Sequence, residues 1–212
     1  MQKRSAYHDS LYKKCFDLIV ALVGIIFLAP VFLLFSFLLK LINGEPVFFI
    51  QGRTGRNSKV FKLIKFRTMH IGAEKELKKI KHLNEVDGPV FKIFDDPRYT
   101  KFGKFLASTG LDELPQLINV IKGEMSLVGP RPLPVSEAKK LTKAHRIREL
   151  IKPGITSSWV ISGAHNLKFW QWMKMDRDYV ENASFSKDLE ILFKTFLIVT
   201  RQTIKQLAKK TK

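Results

Sequence analysis

An uncharged apolar stretch limits the possible folds of this chain more than any other feature. Residues 18–39 form a run of 22 residues without a charge, and about 20 apolar residues are enough for a helix to enter a bilayer. The run is too long for the apolar part of a signal peptide, and no small-residue cleavage site closes it. We therefore predict a membrane helix at about residues 18–40, with a buried helix of a soluble domain as the alternative.

Charges on both sides of this run bear on how the helix sits in the membrane. Lys13 and Lys14 precede it and Lys40 follows it, with further cations beyond. Because basic flanks favour the cytoplasmic side, a spanning helix would leave one flank outside. Pro30, in the middle of the run, removes a backbone hydrogen bond and kinks a helix. We therefore predict a proline-kinked, re-entrant anchor (domain 1–42), in preference to a single span, followed by a cytosolic catalytic domain (43–212).

The remaining chain has short structural patterns that indicate a mostly α fold with a few short strands, of the α+β class. A turn is expected at residues 43–46, strands at 47–50 and 60–66, and a basic, glycine-bearing loop at 52–57. Helical patterns cover residues 74–83, 111–121, 137–151 and 189–207. The last of these pairs apolar with basic residues, which is typical either of a helix at an anionic membrane surface or of one covering the core.

The charge balance indicates an anionic partner. The chain has 37 Lys and Arg against 19 Asp and Glu, a formal charge of +18, which favours nucleic acid, lipid headgroups or phosphorylated substrates. Its one cysteine excludes an intramolecular disulfide, and no zinc-like spacing of Cys and His occurs.

Two adjacent carboxylates, Asp112 and Glu113, precede an apolar helical pattern. Acidic residues at the start of a helix commonly cap its free N–H groups, which is the structural interpretation. The chemical interpretation is that such carboxylates attack phosphorus or hold a divalent metal ion.

Several cations are candidates for binding phosphate. Arg131 lies between two prolines that restrict its backbone, which describes either a stiff linker or an arginine prepared for a phosphate. Lys65 and Arg67 end a predicted strand, and Lys92 and Arg98 surround a pair of aspartates. Together they indicate a pyrophosphate held by fixed cations, with Mg²⁺ between it and the carboxylates.

Taken in order, several segments closely resemble the bacterial sugar transferases, the monotopic polyprenyl-phosphate phosphoglycosyl transferases. The matching segments are PVFFIQGRTGRNSKVFKLIKFRTM (46–69), DDPRYTKFGKFL (95–106), LDELPQLINVIKGEMSLVGPRP (111–132), KPGIT (152–156) and YVENASFSKDLEILFKT (179–195). The resemblance covers nearly the whole chain and favours the chemical interpretation of the carboxylate pair.

The resemblance implies an enzyme on the cytoplasmic face of the bacterial inner membrane. It would transfer a sugar-1-phosphate from a UDP-sugar to undecaprenyl phosphate and release UMP. Asp112 is similar to the family's nucleophile, which forms a phosphosugar-aspartyl intermediate, and Glu113 to its partner in holding Mg²⁺. Lys65 matches a lysine near the active site, and Arg131 an arginine that contacts phosphate. Anionic lipids are further expected partners, nucleic acid is not, and a homodimer is left open.

This chain departs from the family pattern at several positions. Ala107 stands where many members have an arginine, Gly110 replaces a serine, and Val160 and Ala164 replace a glutamine and an arginine. These changes concern how the nucleotide-sugar is held and which sugar it carries. Ala107 and Ala164 leave an inactive membrane scaffold as one alternative, and a lipid-pyrophosphate hydrolase with water as the acceptor is the other.

Overall fold

The fold consists mainly of helices, with two small sheets. The computed structural model describes residues 4–163 and 167–209, and all statements on the fold refer to these ranges. The helices are α1 (Leu11–Asn43), α2 (Ala73–Glu76), α3 (Lys101–Thr109), α4 (Gln116–Ile121), α5 (Val135–Ala138), α6 (Ser158–Ile161), α7 (Phe169–Asn182) and α8 (Phe185–Lys209). The strands are β1 (Phe48–Thr54), β2 (Val60–Phe66), β3 (Ser126–Val128) and β4 (Gly154–Thr156). The predicted class, mostly α with few short strands, is confirmed.

Helix α1 contains the whole apolar run and is longer than predicted at its start. The Ser10 hydroxyl accepts a hydrogen bond from the Lys13 backbone N–H and so caps the helix at residue 11. The helix continues on both sides of Pro30 and ends at Asn43, before Gly44, as the turn at residues 43–46 predicted. Within the described ranges, α1 is the one helix long and apolar enough to cross a bilayer.

The inner face of α1 is part of the domain's core. Ala21 and Leu39 are fully buried, and a Cβ at Gly24 would lie 3.3 Å from the Leu117 side chain. The first half of α1 packs in a cluster with β2, α4 and β3, and the second half packs against Phe66 and neighbouring aromatic rings. The other face leaves many apolar side chains exposed: Leu18, Ile19, Leu22, Val23, Ile26, Phe27, Leu33, Leu34, Phe37 and Leu41.

Strands β1 and β2 form an antiparallel hairpin in which Phe49 pairs with Lys65 and Arg53 pairs with Phe61. The predicted strand at 60–66 is confirmed, whereas the first strand is longer than the predicted 47–50. It continues to Thr54 because the chain keeps pairing with β2, so the predicted loop at 52–57 is strand in its first half. Gln51 and Arg53 lie on the face of β1 that turns towards the domain.

A parallel pair, β3 and β4, was not predicted. The two three-residue strands pair Ser126 with Gly154 and Val128 with Thr156. Their approach requires glycine, since a Cβ at Gly154 would lie 2.0 Å from the Gly129 backbone nitrogen.

Three predicted helices are wrong in extent. Residues 74–83 give only α2 and a 3₁₀ turn at Lys81–Leu83, and residues 137–151 give only the end of α5 and a 3₁₀ turn at His145–Leu150. Both segments carry many charges and little of a continuous apolar stripe, and packing of such a stripe is what stabilises short helices. Residues 111–121 are divided into a 3₁₀ turn at Leu111–Glu113 and helix α4.

The last two helices close the fold. In α7, Trp172 is buried and stacks on Trp159 with ring centroids 4.7 Å apart, while Trp170 is exposed. Helix α8 joins α1 through a buried network in which the Lys13 ammonium contacts both Asp17 and Asp188, at 2.8 and 2.6 Å. Beyond this network α8 exposes Leu189, Phe193, Phe196, Leu197, Ile204 and Leu207.

Candidate active site

The two adjacent carboxylates lie in the 3₁₀ turn between α3 and α4. Gly110 ends α3 with a φ of 78°, a left-handed conformation that glycine adopts without strain. The turn then carries Asp112 inward, where its residue is 6% exposed, and leaves Glu113 partly exposed. Asp112 and Glu113 therefore precede α4 instead of lying in its first turn, and neither side chain caps that helix.

Asp112 is a buried acid with one cation close by. The Lys65 ammonium lies 3.7 Å from its carboxylate. Burial raises the pKa of Asp112 to about 6, and the positive charges of Lys65 and Arg131 oppose this shift while Glu113 adds to it. Near neutral pH the group is therefore ionised, yet it has lost most of its contact with water, which is a suitable state for a nucleophile.

Arg131 forms an ion pair with the second carboxylate. Its guanidinium donates to Glu113 at 2.8 Å, and this contact raises the pKa of Arg131. Its backbone is fixed as well, because the Arg148 guanidinium donates to the Arg131 carbonyl at 2.6 Å. Arg148 is itself paired with the buried Asp176 at 3.0 Å. An arginine and a carboxylate are thus held side by side next to Asp112.

The structure places the other two predicted phosphate ligands in structural contacts. Arg67 donates to the Pro46 carbonyl at 3.0 Å and pairs with Glu74 at 3.3 Å. Arg98 donates twice to the carboxylate of Asp96, at 2.9 and 2.6 Å, and once to a backbone carbonyl. These contacts engage both guanidinium groups, and phosphate binding by Arg67 and Arg98 stays a prediction. The cations in contact with the carboxylate pair are Lys65 and Arg131.

A cleft opens beside the carboxylate pair and encloses about 290 Å³, including its mouth. Its lining includes the polar side chains of Arg53, Lys65, Glu113, Gln116 and Arg131. Three cations and one carboxylate in one cleft favour an anionic ligand of more than one negative charge.

Further charged groups lie near this cleft: Lys92, which the sequence offers as a phosphate-binding cation, and Tyr99 and Glu137, which it does not indicate. Burial and the neighbouring Arg131 charge lower the pKa of Lys92 to about 8. Burial and the nearby Asp112 raise the pKa of Tyr99 to about 12. Burial also raises the pKa of Glu137, which accepts a hydrogen bond from the Phe91 backbone. The sequence shows Lys92 as a cation near two aspartates. Its approach to Arg131 depends on the path of a loop, which local sequence patterns do not predict.

The carboxylates suit Mg²⁺ only together with a substrate. In the described part of the chain, no group of three or more His, Cys, Asp or Glu side chains is arranged to hold a metal ion. Mg²⁺ is commonly bound by one or two carboxylates plus substrate phosphates, and it keeps several waters. Asp112 and Glu113, adjacent on one turn beside a cationic cleft, fit this type of site.

The departures from the family pattern lie in different parts of the chain. Ala107 is half-buried in α3, five residues before Asp112, and Val160 is half-buried in α6. Gly110 has the left-handed conformation described above, which a serine adopts less readily. Ala164 lies outside the described residues.

Comparison with known proteins assigns the chain to a family. The sequence model of the bacterial sugar transferase family matches residues 8–202. The chain belongs to the bacterial sugar transferase family. The chain is 40% identical over 196 residues to a galactosyl transferase, CpsE, of Streptococcus agalactiae, covering 91% of the chain and 43% of that relative. It is 39% identical over 187 residues to the exopolysaccharide production protein ExoY of Sinorhizobium fredii, covering 86% of the chain and 83% of the relative.

A third relative is the undecaprenyl-phosphate galactose phosphotransferase of Salmonella typhimurium. It is 34% identical over 194 residues, which cover 90% of the chain and 40% of that relative. The chain thus spans about two fifths of the length of CpsE and of the Salmonella protein, and most of the length of ExoY.

Proposed function

We propose that the protein transfers a sugar-1-phosphate from a UDP-sugar to undecaprenyl phosphate, giving undecaprenyl-diphosphate-sugar and UMP. The observation that carries the proposal is the buried carboxylate of Asp112, with Lys65 at 3.7 Å, beside the Glu113–Arg131 pair in a cationic cleft. Relatives support the class of substrates: one is a UDP-galactose-lipid carrier transferase of Erwinia amylovora, and another is the Salmonella phosphotransferase.

In the first half-reaction Asp112 acts as the nucleophile. A carboxylate oxygen attacks the sugar-bearing phosphorus of the donor, and a new O–P bond forms while the bond from that phosphorus to the bridging oxygen breaks. The electron pair of the broken bond stays on UMP, so no proton is needed. Lys65 favours the ionised form of Asp112, and Arg131 offers its guanidinium to the diphosphate. A bound Mg²⁺ at Asp112 and Glu113 would neutralise part of the phosphate charge.

In the second half-reaction an oxygen of undecaprenyl phosphate attacks the phosphorus held on Asp112, and the carboxylate leaves. One diphosphate is consumed and one is formed, so the two steps exchange bonds of similar energy and a covalent carboxyl phosphate is a workable intermediate. The cationic groups that bound the first diphosphate serve the second one as well.

The packing of α1 supports a re-entrant anchor at the cytoplasmic face of the inner membrane. At the start of the helix Lys13 pairs with Asp188, and at its end the Asn43 amide donates to the Arg67 carbonyl at 3.2 Å. Both ends therefore contact the same domain, which a helix crossing the bilayer away from that domain does not do. The exposed apolar faces of α1 and α8, with the basic charges of the chain, suit burial in an anionic lipid surface.

The experiment that tests the reaction is a UMP-release screen. Purified full-length protein is mixed with Mg²⁺ and each of a panel of UDP-sugars, with and without undecaprenyl phosphate. We expect UMP release with a lipid-linked product for at least one donor, and a mass increase on a peptide containing Asp112 when the acceptor is omitted. Asp112→Asn should abolish both while leaving membrane association intact. Sustained UMP release with free sugar phosphate and no lipid product would instead identify a hydrolase, and no release with any donor would identify an inactive relative.

The anchor is tested with thiol labelling, since the chain has a single cysteine, Cys15. In a Cys15→Ala background, single cysteines replace Ser5 and Ala208. We expect both thiols to be protected from an impermeant reagent in intact spheroplasts and labelled in inverted vesicles. Labelling of the Ser5 position alone from the outside would demonstrate a spanning helix and refute the re-entrant arrangement.

A further inference from the structure

Arg53 is a half-buried arginine without a carboxylate partner. The other arginines of residues 4–163 and 167–209 either form ion pairs or are exposed to solvent. Arg53 donates from Nη1 to the Pro132 carbonyl at 2.9 Å, while its Nε is buried and has no hydrogen-bond partner. Leaving a buried cationic donor unpaired is costly, so such a group commonly has an anionic ligand.

The hairpin fixes where Arg53 stands relative to the nucleophile. Arg53 opposes Phe61 and Lys65 opposes Phe49, so the two cations lie on the inner face of the hairpin, four ladder positions apart. At about 3.3 Å per residue, this separates their backbones by roughly 13 Å. Both side chains line the same cleft, and Lys65 is the one at Asp112. Arg53 therefore occupies the far end of the cleft from the attacking carboxylate.

The groups nearest to Arg53 make its end of the cleft strongly cationic. Burial and the charge of Arg131 lower the pKa of Arg53 to about 10, and the carboxylates of Glu137 and Glu113 offset this only in part. Glu113 is already paired with Arg131. Two guanidinium groups that repel each other in a common cleft are stabilised by an anion between them.

We propose that Arg53 binds the phosphate of the leaving nucleotide, the phosphate that departs as UMP. The inference rests on the proposed function, which places the attacked phosphorus at Asp112 and Lys65. In the diphosphate the adjoining phosphate then points along the cleft, away from the nucleophile and towards Arg131 and Arg53. When the bond from the attacked phosphorus to the bridging oxygen breaks, the electron pair remains on that oxygen and the departing phosphate gains one negative charge.

This position gives Arg53 a role at the point where a phosphate leaves or enters opposite the carboxylate of Asp112. The extra charge on the departing phosphate exists in the transition state and in UMP, but not in the bound donor, so a cation at this point lowers the barrier. In-line attack on the phosphosugar then brings the phosphate of undecaprenyl phosphate to the position that UMP has left. The second half-reaction therefore uses the same arginine.

The test separates the two half-reactions in the full-length protein with Mg²⁺ and a UDP-sugar that the wild type accepts. Exchange of labelled UMP into the UDP-sugar without undecaprenyl phosphate reports the first half-reaction. Transfer from preformed phosphosugar-enzyme to undecaprenyl phosphate, after UMP is removed, reports the second. Arg53→Ala and Arg53→Lys are compared with Arg56→Ala, which removes a nearby arginine that pairs with Asp9 outside the cleft.

For Arg53→Ala we expect UMP exchange to fall and the inhibition constant of UMP to rise, each by roughly 10- to 100-fold, and transfer from the preformed adduct to fall as well. Arg53→Lys should recover part of the loss, and Arg56→Ala should match the wild type in all three measurements. Unchanged UMP inhibition in Arg53→Ala, or equal losses in Arg56→Ala, would overturn the assignment of Arg53 only. Absence of exchange in the wild type would overturn the proposed function itself.

Discussion

Replacing Asp112 by Asn should stop the reaction and also make the folded protein more stable at neutral pH. Asp112 is buried, and its pKa is raised to about 6 from an ordinary value of 3.8. A raised pKa in the folded state means that the folded protein binds the proton more tightly than the unfolded chain does. The stability associated with that proton is complete below about pH 4 and is lost as the pH rises through 6.

The size of the effect follows from the shift. A difference of about 2 pKa units corresponds to roughly 3 kcal/mol in the free energy of unfolding. Asn resembles the protonated acid and does not carry the cost of burying a charge. The free energy of unfolding of Asp112→Asn should therefore exceed that of the wild type by up to about 3 kcal/mol at pH 7.5 and by nearly nothing at pH 4. For a chain of this length that gain raises the melting temperature by about 6–12 °C.

The assay is thermal unfolding of wild type and Asp112→Asn in the same detergent at pH 7.5 and pH 4. Glu113→Gln is the matched control, because it makes the same chemical change on the neighbouring residue but removes an ion pair with Arg131. The free energy of unfolding of the control should fall by about 1 kcal/mol or less, because the Glu113–Arg131 pair is partly exposed to solvent. A lower melting temperature for Asp112→Asn at pH 7.5, or a gain that does not depend on pH, would refute the reasoning.

Three other outcomes are expected. The rate of adduct formation should fall about 10-fold between pH 7 and pH 5, because protonation of a group with pKa near 6 removes the nucleophile; a pH-independent rate in single-turnover measurements would contradict this. Lys65→Gln should slow adduct formation by about 100- to 1,000-fold and lower the melting temperature at neutral pH, since its ammonium lies 3.7 Å from Asp112 and the buried carboxylate would lose this cation. Arg148→Ala should cost about 3–5 kcal/mol in urea unfolding, because Asp176 would remain buried without its partner, and Asp176→Asn added to it should restore part of the loss.

The features that depend on long or local sequence patterns could be predicted. An uncharged run of this length specifies a helix wherever it lies, and the alternation at residues 60–66 specifies a strand. Two acids before a helical pattern and an arginine between two prolines mark the carboxylate pair and Arg131 as candidates, and the family resemblance favours their chemical interpretation. What the sequence could not supply was their distance from Lys65, which is far from Asp112 along the chain and reaches it only through the hairpin.

The partners of individual charges could not be predicted from the sequence. Phosphate binding by Arg98 stays a prediction, and the structure pairs this arginine with Asp96, only two residues away, because an aspartate this close can meet both arms of the guanidinium. Arg53 was described as part of a loop, although pairing with Phe61 makes it a strand residue that faces the cleft. Strands β3 and β4 are three residues each, too short for a recognisable alternation, and they meet across a long stretch of chain.

The packing of α1 has a practical consequence for anyone who wishes to work with this protein in water. Cutting the chain after residue 42 removes fully buried side chains, among them Ala21 and Leu39, together with the lysine that neutralises Asp188. The truncated chain would therefore expose apolar side chains of the core to water and leave Asp188 buried without its cation. We expect it to aggregate. A water-soluble form would have to keep the inner face of this helix and replace only the exposed apolar side chains of its outer face by polar ones.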